Sequence, residues 1–474
     1  MAAAIFELDD RKVPVSRFVS LGLVAALLAT PVHAAPKPDP ALNAQALEIL
    51  KRSIAFRTVA GGDQFIPYAE YLKGVLVAGG FKPEEITIEP MAGTAFLLAR
   101  YPGKDPKKKP IVISAHMDVV EAKPEDWTRD PFTPVIENGY IYGRGATDNK
   151  FELSVMVAIL TKLRREGWKP GRDVILALSG DEETIMATTA AMAQRLRGAE
   201  MVLNIDGGGG SIINGKPAVY DIQGAEKTYA DFEITLTDPG GHSSRPTPTN
   251  AIYRLSRALD RLAAYRFPAM QNEITRGSML ADAASTPGVI GEALRRYANN
   301  PADAEAMEIL STDTQQNPRL RTTCVATMIQ GGHAPNALPQ RATATVNCRI
   351  FPGTPATSVR ETLVQVINDP SATVTRLADG SVDSPPSPLR ADVIAAVTKA
   401  VKARFPGVPV VPSQQAGATD SMHFRAVGIP SYGVSGMFTR PGESFAHGLN
   451  EKAPLDTLDG SLAHHESLLR DLAK

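Results

Sequence analysis

The chain has 474 residues, of which 43% are hydrophobic and 21% charged. That length exceeds one ordinary core and suggests two domains, and the balance excludes wholesale disorder. Lys and Arg total 50 against 51 Asp and Glu, a net charge of −1, so no basic field exists to hold a nucleic acid. Two cysteines exclude a disulfide scaffold and a cysteine-rich zinc fold, so any metal site must use histidine and carboxylates.

The N-terminus reads as an export signal. Arg11, Lys12 and Arg17 precede an apolar run from Phe18 to Val32, and Val32-His33-Ala34 offers a small-x-small cleavage site. The run is short for a membrane span. Residues 1–34 are therefore expected to be a signal peptide. The mature protein is expected in the periplasm or secreted, free of the membrane after cleavage; the alternative is an uncleaved anchor.

A proline-rich linker, 36–40, leads into a helix predicted over 42–56, and a second helix follows over 68–79. Residues 86–100 read as extended, and Lys107-Lys108-Lys109 as a solvated loop. The short apolar run Ile111 to Ala115, bounded by turns, predicts a strand buried on both faces. A helix is predicted over 151–166, and further buried strands over 173–179 and 201–205. This alternation argues for an α/β fold: a mixed, largely parallel sheet flanked by helices.

The pattern changes near residue 221. Tyr229 to Leu236 alternates like a half-exposed strand, and a helix follows over 250–264. A polar helical insertion is expected at about 268–320, then two strands, 322–329 and 341–350, around a turn rich in Gly, Pro and Asn. The α/β pattern resumes after Asp383-Ser384-Pro385-Pro386 and runs to a C-terminal helix. The expected division is a first part over 35–222, an inserted α+β domain over 223–382, and a second part over 383–474. Cys324 and Cys348 lie symmetrically about Asn336, as near-opposite cross-strand neighbours; a disulfide and a pair of adjacent buried thiols both remain open.

The chemistry-bearing residues sit at strand ends, where ligands collect in open α/β sheets. His116 and Asp118 follow the 111–115 strand, and a carboxylate so placed can fix the tautomer of a ligating imidazole. Asp148 lies in a glycine-bearing loop that opens the 151–166 helix, where an acid is more often a cap. Asp181-Glu182-Glu183 follows the 173–179 strand; three adjacent acids repel unless a cation is present. Asp206 follows the next strand and precedes Gly207 to Gly210, and His447 lies in a loop near the C-terminus. Oxygen and nitrogen ligands without cysteine suit zinc, with cobalt or manganese possible.

With these residues in view, the sequence resembles the dinuclear-zinc exopeptidases and amidohydrolases that include carboxypeptidase G, carboxypeptidase S, aminoacylase, acetylornithine deacetylase and succinyl-diaminopimelate desuccinylase. The segments that carry the resemblance are SAHMDVV, DPF…IYGRGATDNK, SGDEE, NIDGG, GGHSSRP, NALP…NCRIFPG, GATD and FAHGLNE. They occur in the family's order and span about 42 to 470. The helical insertion and its flanking strands look most like the carboxypeptidase S branch.

The resemblance implies a zinc-exopeptidase catalytic domain with an inserted lid and dimerisation domain, binding two zinc ions. His116 and Asp206 would hold one metal, Glu183 and His447 the other, and Asp148 would bridge them. Asp118 would orient His116, and Glu182 would be the general base that deprotonates the metal-activated water. His242 matches a histidine that reaches the neighbouring subunit's site in dimeric relatives, so a homodimer is expected. Asn336, Arg349, Gly417 and Thr419 match positions that face the substrate, and Arg349 could clamp a carboxylate through two hydrogen bonds. Two departures, Phe151-Glu152 after Lys150 and Thr184-Ile185-Met186 after Glu183, replace small residues near the site and leave the ligands intact.

The remaining histidines have plainer expectations. His464 and His465, on the last helix, are expected to be solvated, and His423 to pack locally; His333 lies in the hairpin turn and His33 in the signal segment. Trp127 and Trp168 are expected to be packing residues. The expected activity is carboxypeptidase or dipeptidase action on short peptides. The alternatives are an N-acyl-amino-acid deacylase and, remotely, a non-catalytic binding protein on the same fold.

Overall fold

A run of six wholly buried residues, Ile111–His116, forms the centre of the larger sheet. It pairs in parallel with Val174–Ser179 on one side and Met201–Asn204 on the other. Both faces of these strands are covered by helices, which is why they read as continuous apolar runs. The register sets His116 opposite Ser179 and Ser114 opposite Asn204, so the three strands end nearly level. The computed structural model describes residues 39–474 except 441 and 444. The expected signal segment, 1–34, lies outside the described residues.

Among the described residues the larger sheet has ten strands. From one edge it runs through the hairpin Ile86–Met91 and Thr94–Tyr101, the three central strands, and Ser431–Gly433. It ends with Lys216–Glu226, Gly209–Ile213 and Phe438–Thr439, while Val410–Gln415 adds in parallel to Lys216–Glu226. The central pairings are parallel, the hairpin edge is antiparallel, and the far side mixes antiparallel pairs with a parallel terminal pair, which makes the sheet mixed as expected. The helices predicted from periodicity are present as Pro40–Ile54, Phe65–Ala78, Lys150–Arg165 and Leu458–Leu472. The first begins two residues earlier than predicted, because Asp39 caps it by accepting from the Ala41 and Leu42 N–H groups and Pro40 suits the first turn.

A second, four-stranded antiparallel sheet runs in the order Thr323–Gly331, Arg341–Ile350, Thr228–Thr237, Thr373–Arg376. Helices Ala251–Ala264 and Ala356–Ile367 supply its core, with Leu255, Ala258 and Leu262 on one helix against Phe232, Ile234 and Val346. Asn250 caps the first of these helices through the Tyr253 N–H. Cys324 and Cys348 are direct cross-strand partners and are joined by a disulfide.

Two placements differ from the sequence expectation. Lys216–Glu226 stays in the larger sheet to Glu226, past the expected seam at 222, because Val410–Gln415 pairs along it to its end. The helical insertion, Glu273–Ser285 to Asn317–Leu320, has its own core around Met279, Leu294, Tyr297 and Leu310. It also packs on the larger sheet: Gly277 lies where a Cβ would meet the Pro412 ring, and Ile274 fills the space beside Gly224.

The histidine expectations divide. Trp127 and Trp168 pack as expected, Trp127 under the Arg144 guanidinium and Trp168 edge-on to Tyr101. His464 and His465 are not solvated: both are buried. The Leu458–Leu472 helix buries Leu458, Leu462, Leu468 and Leu469, and His465 falls on the same stripe, where Nε2 lies 2.8 Å from Glu152 Oε2. His464 Nε2 lies 3.1 Å from the Tyr220 hydroxyl.

His423 is buried, its Nε2 has no partner among the described residues, and burial pulls its pKa down to about 4. An unfolded histidine titrates near 6.5, so the unfolded chain binds the extra proton between these values. Its contribution is fully present above about pH 6.5 and is lost as pH falls toward 4, by about 3 kcal/mol at most. Urea unfolding of the chelated protein is expected to weaken over this window, and His423→Leu to flatten that limb. A parent and variant with parallel pH profiles would refute this assignment.

Candidate metal centre and substrate cleft

The site assembles at the C-terminal ends of the three central strands. His116 is the last residue of its strand, Asp181-Glu182-Glu183 follows Val174–Ser179, and Asp206 follows Met201–Asn204. Asp148 arrives on the loop that enters the Lys150–Arg165 helix; Asn149, not Asp148, holds the cap position, and the peptide between them is cis. His447 comes from the loop before the last helix.

Asp148 is the hinge of the arrangement. Its Oδ1 lies 2.8 Å from His116 Nε2, and its Oδ2 lies 3.3 Å from His447 Nε2. Asp206 Oδ1 stands 3.6 Å from His116 Nε2, and Glu183 Oε2 stands 2.9 Å from His447 Nε2. Two groups result, His116–Asp148–Asp206 and Asp148–Glu183–His447, each with ligand atoms within 4.8 Å of one another. The five expected ligands are thus brought together, with Asp148 common to both groups. The mixed nitrogen and oxygen donor set suits zinc, cobalt or manganese.

The electrostatics point the same way. Burial pushes Asp206 up to about 6 and raises Glu182 well above the carboxylate range; Glu183 is raised as well. Hydrogen bonds to Asp148 and Glu183 push His447 up to about 10. Burial works against a charge on His116, yet Asp206, Asp118 and Asp148 hold its pKa well above the usual value. Asp148 is lowered although burial opposes it, because both histidines donate to it. Raised acids beside raised histidines mark a cluster with excess negative charge that cations would neutralise.

Asp118 is buried below His116. The Nδ1–H donates to the Asp118 carbonyl at 3.0 Å, with Oδ1 at 3.5 Å, which leaves Nε2 for a metal. The Asp118 carboxylate accepts from the Glu182 and Glu183 N–H groups at 3.2 and 2.9 Å. It therefore ties the ends of two strands together as well as backing one imidazole. Glu182 forms a third close group with His116 and Glu183, beside the ligands.

A cleft of about 720 Å3 opens over this cluster, lined by Asp148, Glu182, Glu183, Asp206 and His447 on the larger-sheet side. Tyr229, Arg349 and the 378–381 loop line it from the smaller-sheet side. Arg349 stacks over Tyr229 at 4.7 Å and donates to the Ala416 carbonyl at 3.1 Å. Thr419 is buried in the wall, held by Glu226 at 2.8 Å. Gly417 is exposed next to it, while Ala418 and Thr419 line the cleft. His242 and Asn336 do not join this site. They are exposed neighbours on the short ladder of Gly241–His242 with Ala337–Leu338, where the Ser243 N–H donates to the Asn336 carbonyl.

Sequence reasoning missed two supporting acids. Glu451, wholly buried, accepts from the Thr147 and Asp148 N–H groups through Oε1, at 2.8 and 3.1 Å. Its Oε2 accepts from Arg144 at 2.7 Å and the Gly145 N–H at 3.1 Å. Asp420 accepts from Ser179 at 2.6 Å and from Thr189, and burial pushes it up to about 7. Both stand inside segments quoted above, FAHGLNE and GATD, and that membership was the available signal.

A family model described as peptidase family M20/M25/M40 matches residues 112–471. The chain belongs to this family. It is 31% identical over 364 residues to the N-fatty-acyl-amino acid synthase/hydrolase PM20D1 of Mus musculus, covering 74% of this chain and 71% of that protein. It is 25% identical over 398 residues to the probable carboxypeptidase S-like 2 of Dictyostelium discoideum, covering 79% and 75%. The fold matches that of the M20 family metallo-carboxypeptidase Sso-CP2 from Sulfolobus solfataricus, with a TM-score of 0.69 at 22% identity, covering 90% of this chain and 99% of that one. The M20 chain is accordingly a metal-dependent peptidase or amidohydrolase.

Glu451 pairs with Arg144 out of water, so removing its carboxylate strands a buried guanidinium and three N–H groups. Glu451→Ala is expected to cost about 3–5 kcal/mol, measured by urea unfolding of the chelated protein. A loss below about 1 kcal/mol would mean that the Gly143–Asp148 loop holds its shape by other means.

Proposed function

We propose that this protein is a dinuclear-zinc exopeptidase of carboxypeptidase or dipeptidase type, acting on short peptides with a free C-terminal carboxylate. The observation that carries this reading is the split of Asp148, one oxygen toward His116 and the other toward His447, beneath a cleft that presents Arg349. His116, Asp148 and Asp206 would hold one ion and Asp148, Glu183 and His447 the other. When bound, the metals supply water activation and polarise the scissile carbonyl.

The chain's own residues do the rest. Arg349 binds the substrate carboxylate through two N–H groups, which orients the C-terminal residue in the cleft that the ligands also line. Glu182 takes a proton from the attacking water. As the C–N bond breaks, Glu182 passes that proton to the leaving amine, giving a carboxylate product and a free amino acid. Its burial and raised pKa suit a base that must also become an acid.

A second reading, hydrolysis of N-acyl amino acids, has one observation in its favour. Ile185, in the cleft wall, is 55% exposed, and Met186 lies beside it, so an apolar acyl chain would find an apolar surface. The name of the mouse relative agrees with such a substrate.

The exposed His242 and Asn336 fit a homodimer in which they serve the neighbouring subunit. The outer strand Thr323–Gly331 supports this pairing, since it leaves Val325, Met328 and Ile329 exposed on a sheet edge. Export through residues 1–34 accords with the disulfide.

The test is amino-acid release by the zinc-loaded chain from a panel of dipeptides, amidated dipeptides and N-acyl amino acids. Release from free-acid peptides is expected, and release confined to N-acyl amino acids would favour the second reading. Glu182→Ala is expected to keep both metals and the fold while turnover drops at least about a thousandfold. Near-normal turnover would remove Glu182 from the role of base. Arg349→Ala is expected to raise KM for free-acid substrates about tenfold or more with little change in kcat. Equal cleavage of amidated and free-acid peptides by the parent would rule out the clamp.

A further inference from the structure

Glu152 is a buried carboxylate that the mechanism does not use. It is the third residue of the Lys150–Arg165 helix, four residues after Asp148, and is 1% exposed. All its acceptor capacity is taken. Oε1 accepts from Ser435 Oγ at 2.6 Å and the Met437 N–H at 3.0 Å. Oε2 accepts from Ser461 Oγ at 2.6 Å and from His465 Nε2 at 2.8 Å. One side chain thus joins the first turn of this helix, the 435–437 segment and the C-terminal helix.

The 435–437 segment leads directly to Asp206. The Ser435 N–H donates to the Gly207 carbonyl at 2.9 Å, and the Gly210 N–H donates to the Met437 carbonyl at 2.8 Å. These bonds grip the backbone on the C-terminal side of Asp206. The Val434 N–H donates to the Asn204 carbonyl at 2.8 Å and grips it on the other side. Close packing leaves little slack: a Cβ at Gly208 would sit 2.4 Å from the Gly433 carbonyl oxygen, and one at Gly436 2.5 Å from Ser461 Oγ. Between Glu152 and the ligands lies a small cavity of about 230 Å3, lined by Asp148, Asp206, Glu152 and Ser435. Glu152 therefore bonds to none of the ligands and is linked to them through backbone.

We infer that Glu152 is a positioning residue for the metal centre: it fixes the spacing of Asp148, on its own helix entry, from Asp206, on the segment it holds through Ser435 and Met437. His465 and Ser461 complete the carboxylate's partners, so that the last helix locks the device from behind. The inference rests on the reading of Asp148 and Asp206 as ligands. A carboxylate accepts from four donors at once; an amide in its place puts N–H groups against at least one of them.

The experiment uses the full mature chain, stripped with chelator and reloaded with zinc or cobalt. Three quantities are read: zinc affinity by competition with a chromophoric chelator, the visible spectrum of the cobalt form, and urea unfolding of the metal-free chain. Glu152→Gln is expected to lower zinc affinity about tenfold or more and to shift the cobalt spectrum. A merely stabilising role would weaken the metal-free fold and leave affinity and spectrum of the folded protein as in the parent, and that result overturns the inference. If Glu152→Gln does not fold, Ser435→Ala decides by the same two readouts, because it cuts one link between Glu152 and the Asp206 loop. An unchanged cobalt spectrum in that variant overturns the inference as well. A parent chain that binds no divalent metal would remove the metal-site reading itself, an outcome distinct from a parent that binds and a variant that matches it.

Discussion

Like charges gathered in one place set the terms for the rest of this structure. Asp148, Glu182, Glu183 and Asp206 meet at the ends of three level parallel strands, with Asp118 beneath them. Carboxylates this close in a partly dry site repel strongly, and the raised acids and raised histidines record that strain. A fold that keeps such a cluster must either supply cations or hold the loops against their own repulsion. This chain offers cations two nitrogen and oxygen donor groups that share Asp148, and it ties the loops of Asp148, Glu182 and Glu183 to a buried scaffold.

That scaffold is built from more carboxylates. Glu451 binds the N–H groups that carry Asp148, and Asp118 binds those of Glu182 and Glu183. Asp420 binds Ser179 and Thr189 on either side of the acid run. A carboxylate suits this task because it accepts several bonds at once and can orient a strand end without adding a side chain to the cleft. Each is buried, so each needs its donors in place, and this requirement makes the loop shapes specific. Where a cation is present the pairing is closed: Arg144 stays with Glu451, and Arg425 with Glu226, both pairs with almost no exposure.

Much of this was legible in the sequence, and the residues that were not share a physical reason. His116, Glu183 and Asp206 each follow a short apolar run, so strand-end placement was readable from pattern alone. Their partition about Asp148 came from the resemblance, since spacing says nothing about which oxygen faces which imidazole. Glu451 and Asp420 escaped because their partners are backbone N–H groups and hydroxyls, which leave no pattern. His465 carried a signal that was overlooked: it lies three residues from Leu462 and three from Leu468, on the buried stripe of its helix. Its partner, Glu152, is 313 residues away in sequence, so no local pattern announces the pair. The strand Lys216–Glu226 was hidden for a different reason, as its Gly, Pro and Asp content is poor in strand formers and only pairing on both sides makes it a strand.

The crossing from one sheet to the other explains how the cleft keeps its width. Only Lys227 separates Lys216–Glu226 in the larger sheet from Thr228–Thr237 in the smaller one. Glu226, the last residue before the crossing, is locked by Arg425 at 2.8 Å and holds Thr419 in the cleft wall. Lys227 is buried as well and donates to the Arg321 carbonyl at 2.7 Å, on the approach to the outer strand of the smaller sheet. Tyr229 and Arg349 then face each other across one rung of that sheet. The same few residues therefore fix the crossing and bring Arg349 into the cleft above the ligands. Under the proposed carboxylate clamp, the crossing rather than a flexible loop would set how far the substrate's C-terminus lies from the ligands.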